Sequence, residues 1–116
     1  MLNINEISTV YLACGTTDLR KSIDGLMIIV KTELNLDPYE KALFVFCNKQ
    51  MNKLKILQFD NGFWLHYYRL DENKFNWPMN KEEALMIDID ELKWLLKGYE
   101  VRTSSKFKSV RGKKHF

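Results

Sequence analysis

Two short stretches place cationic side chains where a phosphate could be held. The first is Asp18-Leu19-Arg20-Lys21 followed by Asp24-Gly25, directly behind Thr16 and Thr17. Oxygen-bearing residues at 16–18 suit the start of a helix. Basic side chains beside the free N–H groups of a helix start form a phosphate site. The same residues equally describe a plain capped helix carrying an exposed Arg20–Asp24 pair, worth only about 0.3 kcal/mol. The second stretch is Asn48-Lys49-Gln50-Met51-Asn52-Lys53 with Lys55. Three lysines and two asparagines there can follow a phosphate backbone or read a base edge. The plainer account is a solvated turn or protection of a sheet edge.

The end of the chain carries the strongest charge bias. Of 18 basic residues, six fall within 102–116, which has no acid, leaving 12 against 15 acids in 1–101. The overall +3 thus hides a mildly acidic body and a basic arm containing Lys106, Lys108, Arg111, Lys113 and Lys114. That layout suits a polyanion, and a merely solubilising tail is the alternative. Val110 and Phe116 are thinly scattered among its cations, with Ser104, Ser105, Ser109 and Gly112 between, so the arm is expected to be flexible when free.

A third group is aromatic: Phe59, Phe63, Trp64, Tyr67, Tyr68, Phe75 and Trp77, interleaved with His66, Arg69 and Lys74. In a strand, Phe63, Leu65 and Tyr67 share one face and Trp64, His66, Tyr68 and Leu70 the other. One face must be core. The other is a stacking platform for unpaired bases, a partner interface, or the surface beneath a helix. No catalytic constellation emerges. Asp18, Asp24, Asp37 and Asp60 have the chemistry to gather two metals, but the last three sit in or beside capping and turn contexts that explain acids without them. Two cysteines and two histidines without paired spacing make neither a zinc site nor a disulfide framework. Cys14 and Cys47 are expected to be small core hydrophobes, and no cofactor or metal is expected.

The elements that must position these groups follow from periodicity. At 116 residues and 46% hydrophobic, one domain over 1–101 is expected, with 102–116 as its arm. Val10 to Ala13 reads as a strand ending before Gly15. Leu19, Ile23, Leu26, Val30 and Leu34 form a helical stripe that Asp37-Pro38 closes. Ala42 to Cys47, apolar on both faces, reads as a central strand. Leu54 to Phe59 and Phe63 to Leu70 flank the turn Asp60-Asn61-Gly62, and Lys74 to Trp77 reads as a short fourth strand. Leu85 to Ile87 suits an edge strand. Glu91 to Lys97 suits a helix capped by Asp90 and stopped by Gly98. The fold class expected is α+β: an antiparallel meander of about four to five strands against one long N-terminal and one short C-terminal helix. No apolar run approaches the ~18 residues of a membrane span and no leader opens the chain, so a cytoplasmic protein is expected.

With these stretches in place, the chain resembles the accessory proteins of insertion-sequence family sixty-six, the products of its second open reading frame. The resemblance rests on Val10-Tyr11-Leu12-Ala13-Cys14-Gly15-Thr16-Thr17-Asp18-Leu19-Arg20-Lys21, Asp24-Gly25-Leu26 and Leu36-Asp37-Pro38. It continues through Leu43-Phe44-Val45-Phe46, Asn48-Lys49, Lys55, Asp60, Gly62-Phe63, Arg69-Leu70, Phe75-Asn76-Trp77-Pro78 and the segment from Leu92 to Gly98. Gln50 and Met51 replace the arginines usual in that hairpin, Tyr68 stands where lysine is common, and the basic arm lies outside the shared pattern. The resemblance implies a non-catalytic helper in DNA transposition acting beside a separate transposase. The partners expected are the DNA of the element ends and that transposase. The alternative is an adaptor that docks on the transposase without touching DNA. The residues expected to meet DNA are Arg20, Lys21, Asn48, Lys49, Lys53, Lys55, Arg69 and the arm.

Overall fold

The first strand, β1 (Val10–Ala13), is buried at every position, so both its faces must be covered. The computed structural model, which describes residues 7, 9–80, 83–99 and 108–109, covers them with separate layers. The chain leaves β1, passes through helix α1 (Ile23–Ile28), and returns as β2 (Leu43–Cys47). Strands β3 (Lys53–Phe59) and β4 (Phe63–Arg69) form a hairpin on β2. β5 (Ala84–Ile87), α2 (Ile89–Leu96) and the two-residue strand β6 (Lys108–Ser109) complete the order. Across the sheet the strands run β4-β3-β2-β1-β5-β6.

The sheet is mixed, which corrects the antiparallel meander expected from sequence. β1 and β2 pair in parallel, with Val10 opposite Leu43 and Leu12 opposite Val45. The other pairings are antiparallel. A parallel pair needs a long crossover, and the segment between Ala13 and Leu43, which contains α1, supplies it. The meander holds only for β2, β3 and β4.

Alternation in the strands divides the core in two. Val10, Leu12, Leu43, Val45, Cys47, Leu54, Ile56 and Ile87 meet Leu92 and Leu95 of α2. On the opposite face, Tyr11, Ala13, Phe44, Phe46 and Leu57 meet Leu26, Ile29, Val30 and Leu34. β2, buried at all five positions, is the central strand that its composition implied.

The helices depart from expectation in length and start. α1 begins at Ile23 behind Ser22 rather than after Asp18. Asp18 instead turns back on the chain, its Oδ1 accepting the Arg20 N–H at 3.0 Å. Such local bonding competes with a helix. After Ile28 the helix widens into one π turn, Ile29–Glu33. Leu34 N–H donates to Ile29 O, and Thr32 Oγ1 donates back to Ile28 O at 2.7 Å. The wide turn brings Ile29, Val30 and Leu34 onto the sheet together. Asn35, at φ 54°, stops it before Asp37-Pro38 is reached. The long N-terminal helix of the sequence reading is thus a short α segment and a π turn. The true cap of α2 is Asp88, not Asp90, in a capping box with Glu91. Gly98 stops the helix as expected, at φ 89°.

Lys74 to Trp77 is not a strand. It joins no ladder among the described residues and instead ties the sheet together. Phe75 N–H donates to Met51 O at 2.7 Å. The buried Trp77 Nε1–H is shared between Ala13 O at 3.1 Å and Gly15 O at 2.8 Å. Cys14 and Cys47 are free and buried, and burial pushes both thiols up to about 12, as inert core residues require. The boundary expected at residue 101 and most of the basic arm, including Lys106, Arg111, Lys113 and Lys114, lie outside the described residues. The backbone of Lys108–Ser109 pairs with Met86 and Leu85.

Trp77→Phe keeps most of the buried ring but leaves two carbonyls at the end of β1 without their shared donor. It should cost about 1–3 kcal/mol of stability, read as a lower midpoint in urea denaturation. An unchanged midpoint would show that this donor is dispensable.

Candidate functional site

Parallel pairing places the carboxyl ends of β1 and β2 at the same end of the sheet. The loops that leave them are therefore neighbours. Thr17 N–H donates to Cys47 O at 2.7 Å, joining the β1–α1 loop to the end of β2. Between this loop and the β2–β3 hairpin lies an open groove of about 720 Å³. Thr16, Thr17, Asp18, Leu19 and Arg20 line one side; Asn48, Lys49, Gln50, Lys53, Lys55 and Tyr67 line the other side and the floor.

The hairpin side owes its shape to Asn48. Its Oδ1 accepts the N–H groups of Asn52 at 3.0 Å and Lys53 at 2.9 Å. Its Nδ2 donates to Asn52 Oδ1 at 2.8 Å and Gln50 Oε1 at 3.2 Å. Asn48 is buried, and its amide is fully used in building the turn. Met51, at φ 58°, completes the reversal and packs its side chain toward the α2-side core. The hairpin then presents Lys49 to solvent and leaves Lys53 and Lys55 half-buried on β3.

Register explains how the strands add to this charge. Lys53 lies opposite Arg69 and Lys55 opposite Tyr67, and paired residues of antiparallel strands share a face. Lys53, Lys55, Tyr67 and Arg69 therefore all project on the α1 side, beyond the point where Phe63 and Leu65 are covered by the core. Lys49, Lys53, Lys55 and Arg69 have no carboxylate partner among the described residues. Lys55 Nζ lies 3.3 Å from Lys21 O, so the two stretches singled out in the sequence are in contact.

Arg20 is different. Its guanidinium meets the Asp18 carboxylate side-on, with Nε 3.0 Å from Oδ1 and Nη2 2.8 Å from Oδ2. This replaces the Arg20–Asp24 pair considered from sequence. Arg20 holds the Asp18 carboxyl well below the usual carboxylate range, chiefly through its side-chain hydrogen bonds. The pair is open to water, with the Arg20 side chain 91% exposed. Exposed pairs of this kind exchange readily for other anions because solvent screens them. Lys21 is exposed on the far side of the loop, where it lines a smaller pocket with Glu33.

Among the described residues, four cations against one carboxylate thus line the groove. The arrangement can hold an anionic chain along its length. Among the described residues no three of His, Cys, Asp or Glu gather as a metal-holding group, and no helix is long and apolar enough to cross a membrane. Sequence reasoning did not single out Thr16, Thr17 or Tyr67 as neighbours of the lysine hairpin. Tyr67 was visible only as one member of an aromatic run, and nothing in the sequence fixed which end of β1 meets which end of β2.

Comparison with known proteins agrees with the motifs. The family model described as IS66 Orf2 like protein matches residues 8–106. Among curated proteins, the chain is 34% identical over 103 residues to the uncharacterized protein y4hO of Sinorhizobium fredii (strain NBRC 101917 / NGR234), covering 88% of this chain and 90% of that one. It is 30% identical over 92 residues to the uncharacterized protein y4jC of the same strain, covering 78% and 79%. No solved structure matches. The chain belongs to the IS66 Orf2-like family, an accessory rather than an enzyme family, which is consistent with an accessory role in transposition.

Proposed function

We propose that this protein assists a separate transposase in the cytoplasm by binding the DNA of the element ends through the groove between the β1–α1 loop and the β2–β3 hairpin. The observation that carries the reading is the convergence of Arg20, Lys49, Lys53 and Lys55 on one groove, with Arg69 across from Lys53 on the same face. Unpaired lysines give an affinity that depends on phosphate rather than base sequence. Asn48, spent on the turn, supports the site by shaping it. Arg20 joins once a phosphate replaces the Asp18 carboxylate, because a phosphate accepts the same forked pair of N–H bonds. The arm, with Lys106, Lys108, Arg111, Lys113 and Lys114, adds non-specific attraction.

A second reading is favoured by a different surface. Trp64 is 49% exposed on β4, the outermost strand on that side of the sheet, and its ring stacks on His66. These rings face the α2 side, away from the groove. An exposed indole on an edge strand suits a protein contact, and that contact is with the transposase. The two surfaces are on opposite faces, so one molecule has room for both partners.

In gel-shift titrations with element-end duplex, affinity should fall with salt by about 0.9 log units per log unit for each phosphate contacted, and Lys53→Ala should flatten that slope by about one contact. No binding at low salt would remove the DNA reading. Asp18→Asn keeps an oxygen for the Arg20 N–H but releases the guanidinium, so it should bind DNA more tightly and steepen the slope by about 0.9; weaker binding would mean that the carboxylate itself is needed. Trp64→Ala should abolish co-purification with the transposase while leaving DNA affinity within about twofold, since truncating one buried interface indole commonly costs at least ~2 kcal/mol. Retained co-purification would place the protein contact elsewhere.

A further inference from the structure

Six large aromatic side chains stand exposed on the described surface: Tyr39, Trp64, Tyr67, Tyr68, Trp94 and Tyr99. Five have a ring for a neighbour. Tyr39 packs on Phe59 and Phe63, Trp64 on His66, Tyr68 on Phe75, and Trp94 on Tyr99. Tyr67, 57% exposed, has neither a ring partner nor a hydrogen bond among the described residues. Among the described residues it is also the one aromatic side chain lining the cationic groove.

We infer that the groove takes a single-stranded stretch of DNA, with an unpaired base stacked on the Tyr67 ring and its phosphates on Lys53, Lys55 and Arg20. The inference rests on the DNA-binding reading above and specifies the form of DNA held. Its physical basis is the match between what Tyr67 offers and what each kind of strand presents. In a duplex, neighbouring base pairs occupy both faces of every base, so an isolated ring beside the phosphates finds nothing to stack on. An unpaired base has free π faces, and stacking of this kind tolerates any sequence. Register supplies the phosphate contacts at the right place. Lys55 lies directly across from Tyr67 on the same face, and Lys53, across from Arg69, is about 7 Å further along the strand. Cations beside an aromatic ring are the arrangement by which single strands are held: the backbone is tracked by charge and the bases are caught by rings. The backbone that carries the ring is fixed in place, since it belongs to a ladder of seven paired residues.

The test compares an oligothymidine strand with the same strand in duplex with oligodeoxyadenosine, titrated by fluorescence anisotropy against the full chain and three variants. The wild type should hold the single strand more tightly than the duplex. Tyr67→Ala should weaken single-strand binding on the order of tenfold while leaving duplex binding unchanged, and Tyr67→Phe, which keeps the ring, should bind as wild type. Lys53→Ala should weaken both. If Tyr67→Ala binds the single strand as wild type does, or if the duplex is preferred, the stacking inference falls while DNA binding through the lysines stands. If neither DNA form binds at low salt, the inference and the DNA reading fall together. Equal loss of both forms in Tyr67→Ala and in Tyr67→Phe would mark Tyr67 as a support for the lysines rather than a base platform, and would likewise overturn the inference.

Discussion

The parallel contact between β1 and β2 is the constraint on which the rest depends. It sets both carboxyl ends at one end of the sheet, and the Thr17–Cys47 hydrogen bond then fastens the two exit loops together. An antiparallel pairing of the same strands would send those loops to opposite ends, leaving Arg20 remote from the lysine hairpin. The crossover through α1 stabilises the parallel choice by laying Leu26, Ile29, Val30 and Leu34 over the face it crosses. Trp77 adds a clamp at the same end of β1, its N–H shared between Ala13 and Gly15 carbonyls. Most of the rigid framework beneath the groove is therefore apolar packing and backbone bonding. Among the described residues its lysines have no carboxylate partner.

Charge within the groove is unevenly committed. Asn48 spends all its amide capacity on the turn, whereas Lys49 and Lys53 have no internal partner among the described residues. Arg20 lies between these extremes. It is occupied by Asp18, but in a pair so exposed that an arriving anion competes on nearly equal terms with water. The same carboxylate also holds the Arg20 backbone N–H, which fixes the loop's shape whether or not the guanidinium is engaged. One residue thus organises the loop and tempers its charge.

The sheet also divides its aromatic residues between its two faces. Alternation along β4 sends Phe63 and Leu65 into the α1-side core, yet two residues on, the cover ends and Tyr67 reaches the groove. The opposite face of the same strand carries Trp64 and His66 over the α2 side. β4 has a strand partner on one side only, so both faces are accessible near its outer edge. Two surfaces of different chemistry, one cationic and one aromatic, follow from a single seven-residue strand.

Much of this architecture is written locally. The strand at Val10–Ala13, the doubly buried β2, the hairpin turn with Asn61 at φ 59° and the Gly98 stop all follow from patterns within a few residues, because burial on one or two faces and left-handed turns leave direct marks on residue type. The cationic stretches and the family motifs were equally legible. Where competition between local bonds decides an outcome, residue type alone misled: Asp18 served a loop instead of a helix, Asp88 outdid Asp90 as a cap through its partnership with Glu91, and Lys74–Trp77 became a tie rather than a strand. The groove itself is a tertiary product. Arg20 and Lys49 are brought together by a strand pairing whose direction depends on the whole crossover. Tyr67 is separated from its aromatic neighbours by where the cover of the α1-side core ends. No pattern within either segment encodes those distances, since each is fixed by packing between residues far apart in the chain.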